Sequence, residues 1–228
     1  MNAWKSITGF VRQLDRLLDT SIPSLAASPG DGLLSECPNS TVDMLVIDTS
    51  YSMDATDYEP SRLAGAVRAA SQFLKRRAES DPDAIVGVIA FCCRAKVAIS
   101  SRPVKVNLPA TLEALEGLST GNATNIAAGI SLARRQIREI AGARQPRVLL
   151  LTDGHSTMGD DPLVVAGKIK ADGIQLDIIG IGGSPDDVNE PVLKEMASIV
   201  NNERHYWFIT SVGELVQKFE ALALREFP

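Results

Sequence analysis

Met44-Leu45-Val46-Ile47-Asp48-Thr49-Ser50-Tyr51-Ser52 is the stretch on which the reading of this chain turns. The apolar run reads as a strand that enters a loop at a carboxylate. Extended backbone carries Asp48, Ser50 and Ser52 on one side and sends Thr49 and Tyr51 elsewhere, so three hard oxygen donors converge. Oxygen donors without His or Cys favour Mg²⁺, Mn²⁺ or Ca²⁺ over zinc or copper.

Outward from this stretch, strands and helices alternate from Thr41 onward, the pattern of an α/β domain with a mostly parallel sheet. The expected strands are 43–48, 84–91, 94–99, 147–152, 174–181 and 205–208. The second and third are too close in sequence for a parallel crossover, which predicts one antiparallel strand at a sheet edge. Leu63, Ala66, Val67, Ala70, Phe73 and Leu74 form one apolar helix face, and Ile126, Ile130, Ala133, Ile137 and Ile140 another. Asp160-Asp161-Pro162 reads as a helix start, and Ser211-Val212-Gly213-Glu214 as a capping box that opens the last helix. Ahead of the domain, residues 1–20 hold an amphipathic helix with Trp4, Ile7, Val11, Leu14 and Leu18 on one stripe. Residues 21–40, rich in Ser, Pro and Gly, read as a linker, which leaves 41–228 as the folded domain.

With 228 residues the chain is long enough for one such domain and an appendage. A net charge of -5 and no basic cluster beyond Lys75-Arg76-Arg77 argue against a nucleic-acid partner. No stretch approaches the roughly 20 apolar residues of a membrane span. Three cysteines make no disulfide framework, and together with the missing signal segment they lead to the expectation of a cytoplasmic protein. Cys92 and Cys93 close the apolar run Val86–Phe91, where neighbours face opposite sides of a sheet, so they are expected as buried filler and not as a joined pair.

Two further segments offer oxygen. The polar loop Thr120-Gly121-Asn122-Ala123-Thr124-Asn125 brings the Thr124 hydroxyl, and the run Val148 to Thr152 ends on Asp153-Gly154. Asp48 and Asp153 hold equivalent places, each at the carboxyl end of a strand. In doubly wound sheets of order 3-2-1-4-5-6, strands one and four flank the ligand crevice at those ends. Around it, Tyr51, Met53 and His155 are candidate partner-facing rim residues, and Asp54, Asp57 and Glu59 continue the loop as an acidic edge. Gly180-Ile181-Gly182-Gly183 lacks the spacing of a dinucleotide loop.

These residues resemble the von Willebrand factor A domain, the fold that includes the integrin inserted domain. The likeness covers about residues 41–224 and rests on the Asp-x-Ser-x-Ser pattern at Asp48, Ser50 and Ser52, the loop threonine Thr124 and the strand-end Asp153. It implies a Rossmann-like sheet with one antiparallel edge strand and helices on both faces. It also implies a metal ion-dependent adhesion site, with Mg²⁺ foremost and Mn²⁺ or Ca²⁺ as alternatives. The resemblance suggests a partner protein that presents an Asp or Glu, in some relatives within an assembly that contains an ATPase.

The chemistry of the five residues agrees with binding. Neutral hydroxyl ligands leave a cation most of its charge, and Asp48 and Asp153 orient them through water or as acceptors. No activated nucleophile accompanies them, since His155 and His205 stand far apart without a serine or cysteine motif. A phosphatase-like hydrolase with Asp48 as nucleophile is the enzymatic alternative. It calls for a second acid two residues on, where Ser50 stands. A metal-independent scaffold acting through the N-terminal helix is the third reading.

Overall fold

The computed structural model describes residues 40–106 and 108–224. The expected N-terminal helix, and the linker apart from Ser40, lie outside the described residues.

In chain order the elements are β1 (Thr41–Asp48), a 3-10 turn (Tyr51–Asp54), α1 (Arg62–Ser80), β2 (Ile85–Phe91), β3 (Ala95–Pro103), α2 (Leu108–Glu116), α3 (Ile126–Glu139) and β4 (Arg144–Thr152). There follow α4 (Pro162–Ala171), β5 (Gln175–Ile181), a second 3-10 turn (Pro185–Asp187), α5 (Glu190–Met196), β6 (Ile199–Val200), β7 (Glu203–Arg204), β8 (Tyr206–Ile209) and α6 (Val212–Leu224). Six strands form one sheet in the order β3-β2-β1-β4-β5-β8. All neighbours are parallel except β2 and β3, so the expected antiparallel strand is at the edge. With β8 as the sixth strand, the order matches the doubly wound pattern. The short hairpin β6–β7, turned by Asn201 and Asn202 at φ 51° and 64°, was not anticipated, nor was α2.

β1 is buried along its whole length because both faces of the sheet are covered. Val42, Met44 and Val46 pack with Ile126, Ile130, Ala133 and Ile137 of α3 and with Ile169 of α4. Leu45 and Ile47 face the other layer, with Phe73 and Leu74 of α1 and Leu215 and Phe219 of α6. Phe73 and Phe219 meet edge to face at 6.2 Å between ring centres. Ser61 caps α1 by accepting from the Ala64 N–H, Asp161 caps α4 through the Leu163 N–H, and Ser211 Oγ accepts from the Glu214 N–H.

The amino ends of the strands carry a buried ionic layer that the sequence did not reveal. Asp43 accepts from Arg77 Nε at 3.0 Å and from Arg147 Nε at 2.8 Å. Arg147 also lies 3.5 Å from Asp177, whose Oδ1 is 2.8 Å from His205 Nδ1. This layer crosslinks β1, β4, β5 and α1 at the end of the sheet opposite the Asp48 loop.

Candidate metal centre

β1 and β4 are neighbours, with Ile47 paired to Leu151, so Asp48 and Thr152 emerge side by side at the carboxyl edge. Asp48 is fully buried, and both its oxygens are engaged: Oδ1 accepts from the Ser50 N–H at 2.8 Å and Oδ2 from the Thr152 hydroxyl at 2.6 Å. The first bond folds the loop back on itself in the way short Asp side chains favour. The Ser50 and Ser52 hydroxyls are 3.1 Å apart. Asp153 follows Thr152 and is also buried, and Gly154 after it takes φ +84°, which a side chain would resist. The Gly154 N–H donates to Thr152 Oγ1 at 3.0 Å, so Thr152 ties the two acidic strand ends together.

Backbone hydrogen bonds lace the three loops. The Gly121 N–H donates to the Thr49 carbonyl at 2.6 Å, and the Tyr51 N–H to the Asn122 carbonyl at 3.2 Å. The Thr49 N–H reaches the Phe91 carbonyl at 2.7 Å, and the Thr157 N–H reaches the Thr124 carbonyl at 2.9 Å. The Thr124 side chain is buried, yet its hydroxyl takes part in no hydrogen bond among the described residues. A hydroxyl that engages no protein group has its lone pairs to give.

Burial pushes the Asp48 carboxyl up to about 6, and the charge of Asp153 adds to the effect. Two carboxylates at one crevice therefore repel each other, and a divalent cation would relieve that repulsion. Among the described residues no group of three or more His, Cys, Asp or Glu is arranged to hold a metal, so an ion here would depend on hydroxyl and water oxygens. The oxygen donor set fits a hard divalent cation on these grounds.

Arg62 belongs to the site and was missed. It opens α1, is buried, and places Nη1 3.5 Å from Asp153 Oδ2 and Nη2 3.4 Å from Asp187. Its Nε donates to Asp57 Oδ1 at 2.8 Å, and this guanidinium holds the Asp57 carboxyl below its ordinary range. Asp57 is thus a partner within the fold, not a loose rim charge. A signal existed: a cation at the first position of a helix opposes the helix dipole unless acids hold it.

The rim differs from expectation at one place. Tyr51 is 74% exposed and His155 is exposed, but Met53 is fully buried. The 3-10 turn rotates Met53 away from its neighbours and into the layer of Leu45, Ile47 and Phe73, so it is a core residue and not a contact residue.

Residues 44–155 match the family model of the von Willebrand factor type A domain. A curated relative, a UPF0353 protein of Mycobacterium sp. (strain KMS), is 32% identical over 189 residues, 72% of this chain and 55% of the relative. The chain spans about half the length of that relative. Among solved structures, an aerotolerance-related membrane protein from Bacteroides fragilis is similar with a TM-score of 0.64 at 23% identity, over 80% of this chain and 98% of the other. Proximal thread matrix protein 1 from the mussel byssus, in a structure with a zinc-occupied MIDAS motif, is similar with a TM-score of 0.66 at 21% identity, over 82% of this chain and 48% of the other. Both structural likenesses are likenesses of fold.

The cytoplasmic expectation is corrected by the likeness to the membrane protein. It rested on the cysteine count and on the lack of a span or signal segment in the sequence, which do not report on where a folded domain works. No helix among the described residues is long and apolar enough to cross a membrane.

Proposed function

Since residues 44–155 match the family model of the von Willebrand factor type A domain, we propose that the chain is a metal-dependent protein-interaction module, with Mg²⁺ at Asp48, Ser50, Ser52, Thr124 and Asp153 and a partner's Asp or Glu completing the coordination. The observation that carries the reading is that Asp48 and Asp153 end neighbouring strands as buried carboxylates, with the loop that holds Thr124 tied to the Asp48 loop through the Gly121 N–H and the Thr49 carbonyl. When bound, Mg²⁺ supplies an electrophilic centre that a carboxylate oxygen can approach. Ser50, Ser52 and Thr124 offer neutral oxygen, so the positive charge is left for the partner. Asp48 keeps the Ser50 backbone in place, and Thr152 keeps Asp48 in place. Exposed Tyr51 and His155 are the residues we assign to the partner's surface.

A nucleophilic role for Asp48 is disfavoured by the same geometry. The carboxylate is buried, and two residues on, where that chemistry calls for a second acid, stands Ser50. The fold likeness to an aerotolerance-related membrane protein supports a place of action beside a membrane.

Calorimetric titration of Mg²⁺ into metal-free protein tests the reading. Wild type is expected to bind, and Thr124→Val and Ser52→Ala to bind at least about tenfold more weakly, in line with the usual cost of disturbing a metal's ligand shells. Equal affinity in wild type and both variants overturns it.

A further inference from the structure

β2 ends at Phe91, and the chain reaches β3 through Cys92 and Cys93. Both thiols are free and half-buried, and their sulfurs lie 3.8 Å apart. Strand alternation was expected to separate them. It does not apply, because both residues lie beyond the strand, in a turn where the Cys92 N–H donates to the Arg94 carbonyl at 3.0 Å.

The pair abuts the loop that carries Thr124. The Cys92 carbonyl accepts from the Asn125 N–H at 2.8 Å, and Asn125 caps α3 by accepting from the Ala128 N–H at 2.9 Å. The Cys92 sulfur fills the space beside Gly121, where an added Cβ would lie only 2.7 Å from it. Gly121 in turn holds the Thr49 carbonyl, one residue before Ser50. Cys92 therefore supports the threonine loop twice, through its backbone and through its sulfur.

We propose that Cys92 and Cys93 are a reversible thiol–disulfide site, closed by a hydroperoxide, whose closure displaces the Thr120–Asn125 loop and so weakens metal binding; the last clause rests on the function proposed above. Closure must bring the sulfurs from 3.8 Å to about 2.05 Å, a displacement made where the Cys92 sulfur lies against Gly121. Adjacent Cα atoms are only about 3.8 Å apart across a trans peptide, less than the roughly 4.4–6.8 Å that disulfides usually span. The backbone of the turn must therefore shift, and with it the carbonyl that holds Asn125. Strain of this kind also makes a disulfide easy to reduce, the property of regulatory bonds. In the reaction one thiolate attacks a peroxide oxygen, the O–O bond breaks, and a sulfenic acid and hydroxide result. The second thiolate attacks that sulfur, the S–O bond breaks, and the oxygen leaves as water after protonation. Two thiols are oxidised to one disulfide and hydrogen peroxide is reduced to two waters.

The full chain with Cys37→Ser, which removes the third thiol, is treated with hydrogen peroxide. Peptide mass spectrometry is expected to show loss of two hydrogens across Cys92–Cys93, restored by dithiothreitol. Amide exchange at Gly121 and Asn125 is expected to accelerate, and Mg²⁺ affinity to fall about tenfold. A further Cys93→Ser change is expected to abolish all three responses. Oxygen adducts on a single sulfur, or a disulfide between two chains, overturn the site. A Cys92–Cys93 disulfide with unchanged exchange at Gly121 and Asn125 overturns the coupling. Reduced protein that takes up no Mg²⁺ overturns the metal reading instead, and mass and exchange still decide the thiol pair.

Discussion

Arg62 Nη1 lies 3.5 Å from Asp153 Oδ2 with both side chains buried, so the candidate metal centre contains a cation of its own. The same guanidinium holds Asp57 and Asp187, and thereby joins the segment after the Asp48 loop, the end of β4 and the 3-10 turn before α5. Three carboxylates around one arginine tolerate each other only while it is present.

Arg62→Leu is expected to cost about 3 kcal/mol of stability in chelator, the usual scale for removing one partner of a buried ion pair. Mg²⁺ should restore part of the loss, because it supplies charge next to Asp153. Urea denaturation with and without Mg²⁺ measures both effects. A loss under about 0.5 kcal/mol would show the bridge to be energetically idle.

The Asp48 carboxyl gives metal-free protein a pH dependence of known sign. Its value of about 6 in the fold exceeds that of an unfolded chain, so between about pH 4 and 6 the native state binds more protons. Stability should then fall as pH rises through this window, by an amount on the order of 3 kcal/mol at most. Asp48→Asn should flatten the fall, and saturating Mg²⁺ should oppose it by favouring the ionised form. Urea midpoints across the window, in chelator and in Mg²⁺, provide the check.

Tyr51 and Met53 stand two residues apart and should behave in opposite ways. Met53→Ala removes a fully buried side chain and is expected to destabilise by about 2–5 kcal/mol. Tyr51→Ala should leave stability within about 0.5 kcal/mol, since its ring is exposed, and weaken partner capture. Thermal melts and a pull-down compared in Mg²⁺ and in chelator separate the two.

Asp43 tests the opposite end of the sheet. Asp43→Ala leaves Arg77 and Arg147 buried without their shared acceptor, and about 3–5 kcal/mol should be lost. Mg²⁺ affinity measured well below the melting temperature should not change, because this ionic layer lies at the far end of the strands.

Much of the molecule was legible in the chain because the signals are local. The apolar runs, the one short link around Cys93 and the caps at Asp161 and Ser211 specify strands, an antiparallel edge and helix starts from a few adjacent residues each. The spacing of Asp48, Ser50 and Ser52 is local as well. Two strand-end aspartates suggested a shared crevice through the general topology of such sheets, and β1 and β4 are indeed neighbours.

By itself, then, the sequence determined the layer architecture and named oxygen donors that could converge, since period and spacing are written in neighbouring residues. Only the tertiary structure decided that Met53 turns inward, that Thr152 grips Asp48, that Arg62 reaches Asp153 across 91 positions, and that Cys92 and Cys93 face each other against Gly121. These depend on which distant segments pack together and on turns that break strand alternation. A one-dimensional pattern carries no term for either.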